Sequence, residues 1–373
     1  MEAAGLDALC VFYPTRIAYL TGFHHIPTER PIVFVLGPGG YSALIVPAVE
    51  KEHAESVPAI DKVDVYFEYP GADHPMGRLS TALAEINANP HRTGADNDGY
   101  ARYWGYRGPS LTDLMGRAPV DAEMLIESLR RVKSPTEIEC IQLSCDWAVR
   151  AHRRMQAAIK TGMTEMECYA PPATETLFEM VREMPGWRPR GFNGNGLEAM
   201  FVGGRSTAMP HGFVRGHGIQ AGDVLVSGAG ADIDGYLSEL ERTMIVGAPT
   251  AEQEKAFAAM LALQTRAIDV MAPGVPAAEV ELECVSLAKE LGVEGSIRHH
   301  VGHSIGLEGH EAPFLDRGDD AVLEPGMVFT VEPGVYVKEL GGFRHSDTVL
   351  ITETGCRVMT PYPRELKDLI IPV

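Results

Sequence analysis

The histidines and carboxylates of the C-terminal two thirds of the chain are concentrated in five short segments. These segments are MPHGF around His211, residues 222–244, GHSIGLEGHE at 302–311, EPGMVFTVEPG at 324–334 and GGFRHSDTVLIT at 341–352. Carboxylates beside an imidazole can bind a divalent cation or move protons during hydrolysis. The sequence therefore predicts one active site built from these segments.

Three glutamates are the first candidates for that site. Glu239 and Glu241 are two residues apart in a strand-like run, so their side chains share a face. The alternative is that this face is exposed to solvent and has no catalytic role. Glu332 follows the apolar run VFTV, where an unpaired carboxylate would be costly, which favours burial in a site. Two carboxylates beside an imidazole form a negative pocket that suits a cationic or amidine-like substrate. Because imidazole titrates near neutral pH, His211 is the predicted general acid and base.

The elements that must position these side chains belong to the second of two predicted domains. Residues 1–122 contain short apolar runs at 8–12, 31–36 and 42–47, separated by Gly and Pro turns, with helical spacing near 77–87. Such a mixture of strands and helices predicts an α/β domain.

Residues 123–373 form the predicted catalytic domain, which is also α/β. Its first long helix starts at Ser134, where a capping Ser is followed by Pro135 and by Glu137 three residues after the cap. Helical stretches then alternate with strand-like runs up to about residue 352. The predicted helices are 251–272 and 276–292, and the predicted strands are 223–228, 241–247, 327–332 and 346–352.

Charge and composition exclude several classes of partner. The formal net charge is -19, and no cluster of Lys and Arg offsets it, so nucleic acid and membrane surfaces are not expected partners. The first residues lack the pattern of a signal peptide, and no apolar run is long enough for a spanning helix. A cytoplasmic location is therefore expected.

The order and spacing of the five segments resemble the superfamily of creatinase, aminopeptidase P and prolidase. The resemblance covers roughly residues 123–365. It implies a creatinase-like N-terminal α/β domain followed by a catalytic domain with the pita-bread fold. It also implies a homodimer in which Arg30 of one subunit approaches the active site of the other.

Metallopeptidases of this superfamily hold two metal ions on five ligands, and the resemblance assigns a residue to each position. The five positions fall on Gly228, Glu239, His303, Glu332 and Ser346. Two of them have no ligand side chain and a third carries Glu where Asp is usual. The resemblance therefore implies no metal, with a single Mn, Co or Zn ion on Glu239, His303 and Glu332 as the alternative.

Creatinase works without a metal ion, and its active-site residues match this sequence. The match implies His211 as acid and base, Glu241 and Glu332 as substrate-holding carboxylates, and His303 as a further catalytic residue. Further substrate contacts are expected from His310, Arg344, Arg30 and Glu239. The first hypothesis is thus a metal-independent, creatinase-like hydrolase that cleaves a C–N bond of a small amidine, guanidine or amide substrate.

Two alternatives remain open on the sequence. The first is an Xaa-Pro dipeptidase or aminopeptidase with an atypical metal site, because His211, His303, His310 and Arg344 also match peptidase positions. The second is a non-catalytic binding module, since the same fold occurs in proteins without peptidase chemistry.

Overall fold

The computed structural model describes residues 1–71, 74–100, 105–187, 189–190 and 196–373. It divides into two compact units, Met1–Arg130 and Arg131–Val373. Both units combine strands with helices, which confirms the predicted α/β class. Among the described residues, no helix is both long and apolar enough to span a membrane.

The first unit is a mixed six-stranded sheet with the strand order β4-β3-β2-β1-β5-β6 in the described residues. Alternate residues of each central strand pack against helices on opposite faces, as Cys10 and Val11 do, so both faces are buried. Burial on both faces explains why its strands are continuous apolar runs. Its elements are β1 (Ala8–Val11), α1 (Pro14–Thr21), β2 (Val33–Leu36), β3 (Ser42–Pro47), α2 (Lys51–Glu55), β4 (Lys62–Tyr66), α3 (Pro75–Glu85), β5 (Thr93–Ala95), α4 (Leu111–Met115), β6 (Val120–Asp121) and α5 (Glu123–Arg131).

Helix α5 belongs with the first unit, although the sequence predicted a domain boundary at residue 122. Arg16 of α1 forms ion pairs with Glu123 at 2.6 Å and with Glu127 at 2.6 Å. On the same helix, Ile126 packs into the core beneath the sheet. These contacts place the end of the first compact unit at Arg130.

The second unit is built on one large sheet whose main path runs β12-β11-β13-β16-β10-β8-β7. Its four helices among the described residues pack with the sheet into one apolar core. Its elements are α6 (Pro135–Ala158), α7 (Glu165–Glu183), β7 (Leu197–Gly203), β8 (Val224–Ile233), β9 (Tyr236–Leu237), β10 (Leu240–Val246), α8 (Ala251–Val270), α9 (Ala277–Glu290), β11 (Gly302–Ser304), β12 (Glu311–Leu315), β13 (Val328–Val331), β14 (Gly334–Val337), β15 (Gly341–Arg344), β16 (Ser346–Ile351), β17 (Cys356–Val358) and β18 (Ile370–Ile371).

The predicted start of α6 is confirmed in detail. Ser134 Oγ accepts a hydrogen bond from the amide of Glu137, and the Glu137 carboxylate accepts one from the amide of Ser134. Pro135 occupies the first turn, where an amide donor would have no partner within the helix. The sequence signal was sufficient here because every contact that fixes the helix start lies within four residues.

Candidate active site

Three glutamates meet on the central strands of the second unit. Glu241 lies on β10, Glu239 just before that strand, and Glu332 just after β13. One carboxylate oxygen of each lies within 4.8 Å of the others. Glu241 and Glu332 are buried and Glu239 is partly buried. Three carboxylates so close together repel one another unless protons or cations are present.

His303 on β11 lies beside this group, next to Glu332. Its ring is fully buried, and Nδ1 faces the carbonyl oxygen of Ser304 at 3.0 Å. Its Nε2 lies 3.1 Å from Glu332 Oε1, yet has no hydrogen-bond partner with suitable geometry among the described residues. A buried ring nitrogen of this kind is placed to bind a group that the chain itself does not supply.

The backbone next to His303 leaves no room for another residue than glycine. A Cβ atom on Gly302 would lie 2.0 Å from the carbonyl oxygen of Thr330 on the adjacent strand. The close approach brings β11 against β13, where the His303 amide donates to Thr330 Oγ1 at 3.2 Å. Gly302 therefore fixes the depth at which the imidazole enters the site.

The carboxylates differ in how strongly they hold a proton. Burial, followed by the charges of Glu332 and Glu241, raises the pKa of Glu239 to about 8. Burial also opposes ionisation of Glu332, but the neighbouring His303 and Arg344 outweigh it and lower the pKa of that carboxyl to about 2. For His303, burial favours the neutral ring, while Glu332 and Glu239 raise its pKa above the ordinary value. Without a bound cation, burial and the neighbouring carboxylates thus favour the protonated form of Glu239.

Arg344 at the end of β15 holds Glu241 with two parallel hydrogen bonds. Its Nε donates to Glu241 Oε2 at 2.5 Å, and its Nη2 donates to Glu241 Oε1 at 2.6 Å. Its Nε also lies 3.8 Å from Glu332 Oε2. Burial favours the carboxylic acid form of Glu241 and raises its pKa, against the opposing effect of Arg344. The guanidinium thus compensates part of the negative charge of the site.

Sequence reasoning did not identify Tyr336 or its neighbour His299 as site residues. Tyr336 Oη accepts a hydrogen bond from Arg344 Nη1 at 3.4 Å and lies 2.8 Å from His299 Nε2. Tyr336 thus holds the guanidinium through Nη1, which does not bind Glu241, and His299 holds the Tyr336 hydroxyl. The position of Tyr336 four residues after Glu332 was the only signal in the sequence.

The other predicted site residues fall into two groups. The exposed ring of His310 stacks on His303 with 3.7 Å between centroids. His211 is also exposed and lies close enough to His310 to help lower its pKa, after the larger effects of burial and His303. Arg30 belongs to the first unit, where it binds Glu68 and Glu29. A role for Arg30 in a partner's site, and the homodimer itself, stay predictions.

A cavity of about 830 Å³ lies next to Glu241 on β10 and Glu239 just before that strand. Glu239 and Glu241 contribute to its lining, together with Gly228. Apolar side chains contribute most of the remaining surface, among them Met200, Leu197, Leu237, Ile305 and Leu307. A small ligand with one polar and one apolar end would match this lining.

The site fits one divalent cation better than two. Gly228 and Ser346 offer no carboxylate, and both carboxylate oxygens of Glu241 are already bound by Arg344. Within the part of this group that the structure describes, the donors that remain are Glu239, Glu332 and His303 Nε2. Two carboxylates and one imidazole suit Mn, Co or Zn. They are too few to hold a pair of cations.

Comparisons with known proteins identify both units. Residues 139–353 match the model of metallopeptidase family M24, and residues 1–132 match the creatinase/prolidase N-terminal domain. An Xaa-Pro dipeptidase of Pyrococcus furiosus is 36% identical over 65% of this chain and 66% of its own length. The putative dipeptidase YkvY of Bacillus subtilis is 27% identical over 100% of this chain and 97% of its own length.

Solved structures agree with these matches. The prolidase of Pyrococcus horikoshii has a TM-score of 0.81 at 27% identity, covering 98% of this chain and 97% of that one. Dipeptidase PepE of Mycobacterium ulcerans has a TM-score of 0.85 at 26% identity, covering 100% of this chain and 95% of that one. The predicted architecture, a creatinase-like N-terminal domain and a pita-bread domain, is therefore confirmed.

The prediction of a metal-independent, creatinase-like hydrolase is wrong. The matched family is one of metallopeptidases, and the relatives carry dipeptidase and prolidase names. The structure supplies a physical reason, because Glu241, which was expected to hold substrate, is occupied by Arg344. The non-catalytic alternative is set aside by the same relatives. The chain belongs to metallopeptidase family M24, as a hydrolase with a creatinase/prolidase N-terminal domain and a pita-bread catalytic domain.

Proposed function

We propose that this chain is a dipeptidase that cleaves Xaa-Pro substrates with the help of one divalent cation bound by Glu239, His303 and Glu332. The observation that carries the proposal is the buried Nε2 of His303, which lies 3.1 Å from Glu332 Oε1 without suitable hydrogen-bond geometry, while Glu332 itself lies beside two further glutamates. The Xaa-Pro dipeptidase and prolidase names of the relatives supply the substrate class.

A cation on these three side chains would supply Lewis-acid polarisation of a peptide carbonyl and a more nucleophilic water. Buried Glu332 and His303 are held by their strands, so they offer fixed ligand atoms. Glu239 would complete the set from the loop before β10. Because Glu239 lines the cavity, a substrate seated there would lie beside one of the three side chains that would hold the cation.

The remaining side chains would bind and orient the dipeptide. His310 stacks on His303 and is exposed, which places an imidazole donor at the edge of the site. His211 lies close by and could donate to the same substrate or accept a proton from it. The apolar lining of the cavity would accommodate the pyrrolidine ring or an apolar first residue.

The proposal is tested by assaying the purified full chain on Ala-Pro and Leu-Pro after exhaustive chelation and after addition of Mn, Co or Zn. We expect hydrolysis only with an added cation. In His303→Asn, activity and cation affinity should each fall by at least about 100-fold. Removal of a residue that only hydrogen-bonds a metal ligand already costs about 10- to 100-fold, and removal of the ligand itself should cost more.

The matched control is His53→Asn, because His53 is an exposed residue of the first unit and pairs with Glu50 at 3.3 Å. It should retain the activity of the unaltered chain. Undiminished hydrolysis after chelation, or no cleavage of either dipeptide with any of the three cations, would overturn the proposal.

A further inference from the structure

Gly228, Glu241 and Ser346 form a row across three adjacent strands of the second unit. Glu241 on β10 pairs with Gly228 on β8 and, on its other side, with Ser346 on β16. A long acidic side chain thus lies between two neighbours that have little or no side chain. In a β-sheet such direct neighbours share one face, so the space above all three is available to Glu241.

The side chain of Glu241 occupies the space that a side chain at position 228 would need. A Cβ atom on Gly228 would lie 3.1 Å from Glu241 Cγ and 3.5 Å from Glu241 Oε1. Met200 Cγ closes the other side at 3.0 Å. Even a Cβ atom at position 228 would therefore require these two side chains to shift by a few tenths of an ångström, and a larger residue would require more.

Arg344 balances the negative charge of Glu241 in this row, which is one half of the site. Arg344 binds both oxygens of Glu241 and lies 3.8 Å from Glu332 Oε2. The arginine is held in turn by Tyr336 and by the carbonyl oxygen of Pro210 at 3.2 Å. A fixed guanidinium in this position repels a second metal cation from the row.

From these observations we propose that Gly228 and Glu241 are a matched pair, in which the glycine leaves the space that the Glu241 side chain fills. Together with Arg344, Glu241 fills this half of the site, so the chain binds only one divalent cation, on Glu239, His303 and Glu332. The cation count rests on the proposed function, whereas the matching of Gly228 with Glu241 does not. A side chain at position 228 and the long acidic side chain at position 241 thus compete for the same space.

The test is a reciprocal exchange read out by thermal unfolding of the full chain. Gly228→Asp alone should lower the Tm by about 5 °C, because the new side chain crowds Met200 and Glu241 and places a second carboxylate beside that of Glu241. Glu241→Thr alone should lower it by a similar amount, since Arg344 loses its partner. The double variant Gly228→Asp/Glu241→Thr should return to within about 2 °C of the unaltered chain, because the new carboxylate then has both the space and the arginine.

A second double variant, Gly228→Asp with Met200→Ala, separates charge from crowding. It relieves the 3.0 Å contact but leaves Glu241 in place, so it should not recover the lost Tm. If it recovers as fully as the exchange does, or if the exchange recovers nothing, the matched pair is refuted.

The cation count is measured separately by titrating the chelated protein with Mn²⁺ alone and measuring bound manganese. One ion per chain is expected, and none or two would refute the single-ion claim. Neither measurement depends on peptide hydrolysis. A recovered Tm and one bound ion without cleavage of any dipeptide would therefore refute the proposed function while supporting this inference.

Discussion

The contact between Glu241 and Arg344 shows how one pair of side chains sets the electrostatics of the site. Their side chains are only 6% and 9% exposed, and the contact is bidentate. A buried charge pair adds little to stability over an apolar pair, but removal of one partner leaves a charge that water cannot reach. The pair is therefore expected to be strongly coupled in its effect on stability.

Replacement of Arg344 with Met should lower the free energy of unfolding by about 3 to 5 kcal/mol, because the buried carboxylate of Glu241 loses its counter-ion. The double variant Arg344→Met/Glu241→Leu should recover at least half of that loss, since both charges are gone. Urea unfolding of Arg344→Met, of Glu241→Leu and of the double variant measures the coupling between the two side chains. Strictly additive losses would contradict the idea that the two side chains form one unit.

At the scale of the elements, the site depends on where strands and helices begin and end. The run predicted as a strand at 327–332 is β13, Val328–Val331, and Glu332 follows immediately with its amide donating to the carbonyl oxygen of Val301 at 2.7 Å. The predicted long helix is α6, which spans Pro135–Ala158. Both could be predicted because apolar periodicity and capping residues act over a few neighbouring positions.

The capping box of α6 gives a prediction at this scale. Ser134→Ala should lower the free energy of unfolding by about 1 kcal/mol, because the amide of Glu137 loses its acceptor. Ser134→Asp should retain most of the stability, since a carboxylate caps the same amide. Chemical unfolding of both variants checks this, and an equal loss in Ser134→Asp would mean that the cap is not the cause.

For the whole molecule, buried histidines connect stability to pH. His152 of α6 is fully buried, with Nε2 2.7 Å from Ser227 Oγ and its ring against Tyr362. Burial, aided by the positive charge of Arg242, lowers the pKa of His152 to about 3. In the unfolded chain this histidine binds a proton as the pH falls through about 6.5. In the folded chain it stays neutral until the pH approaches its lowered pKa of about 3.

Stability should therefore fall as the pH drops below about 6.5, by up to about 1.4 kcal/mol per pH unit from His152 alone. At pH 5 the loss from this residue should reach about 2 kcal/mol relative to pH 8. His152→Gln keeps a polar group near Ser227 without a titrating ring, so its stability should depend less steeply on pH. Urea midpoints between pH 8 and pH 5 measure both slopes, and equal slopes would contradict the prediction.

The amino-acid sequence by itself determined the two-domain α/β architecture, the start of α6 and the segments that carry the site. These features depend on periodicity, caps and turns, which a linear chain displays directly. It also singled out His303, Glu239 and Glu332, whose side chains the fold brings together. The chemistry was misassigned because Glu and His serve metal-free and metal-dependent hydrolysis alike.

Only the tertiary structure decided which partner each charge has. The sequence does not show that Glu241 lies beside Gly228 and Ser346, because strand register depends on packing across the sheet. Nor does it show that Arg344, more than 100 positions away along the chain, binds Glu241 at both oxygens. Pairing of buried charges is governed by distance in space, and the fold sets that distance.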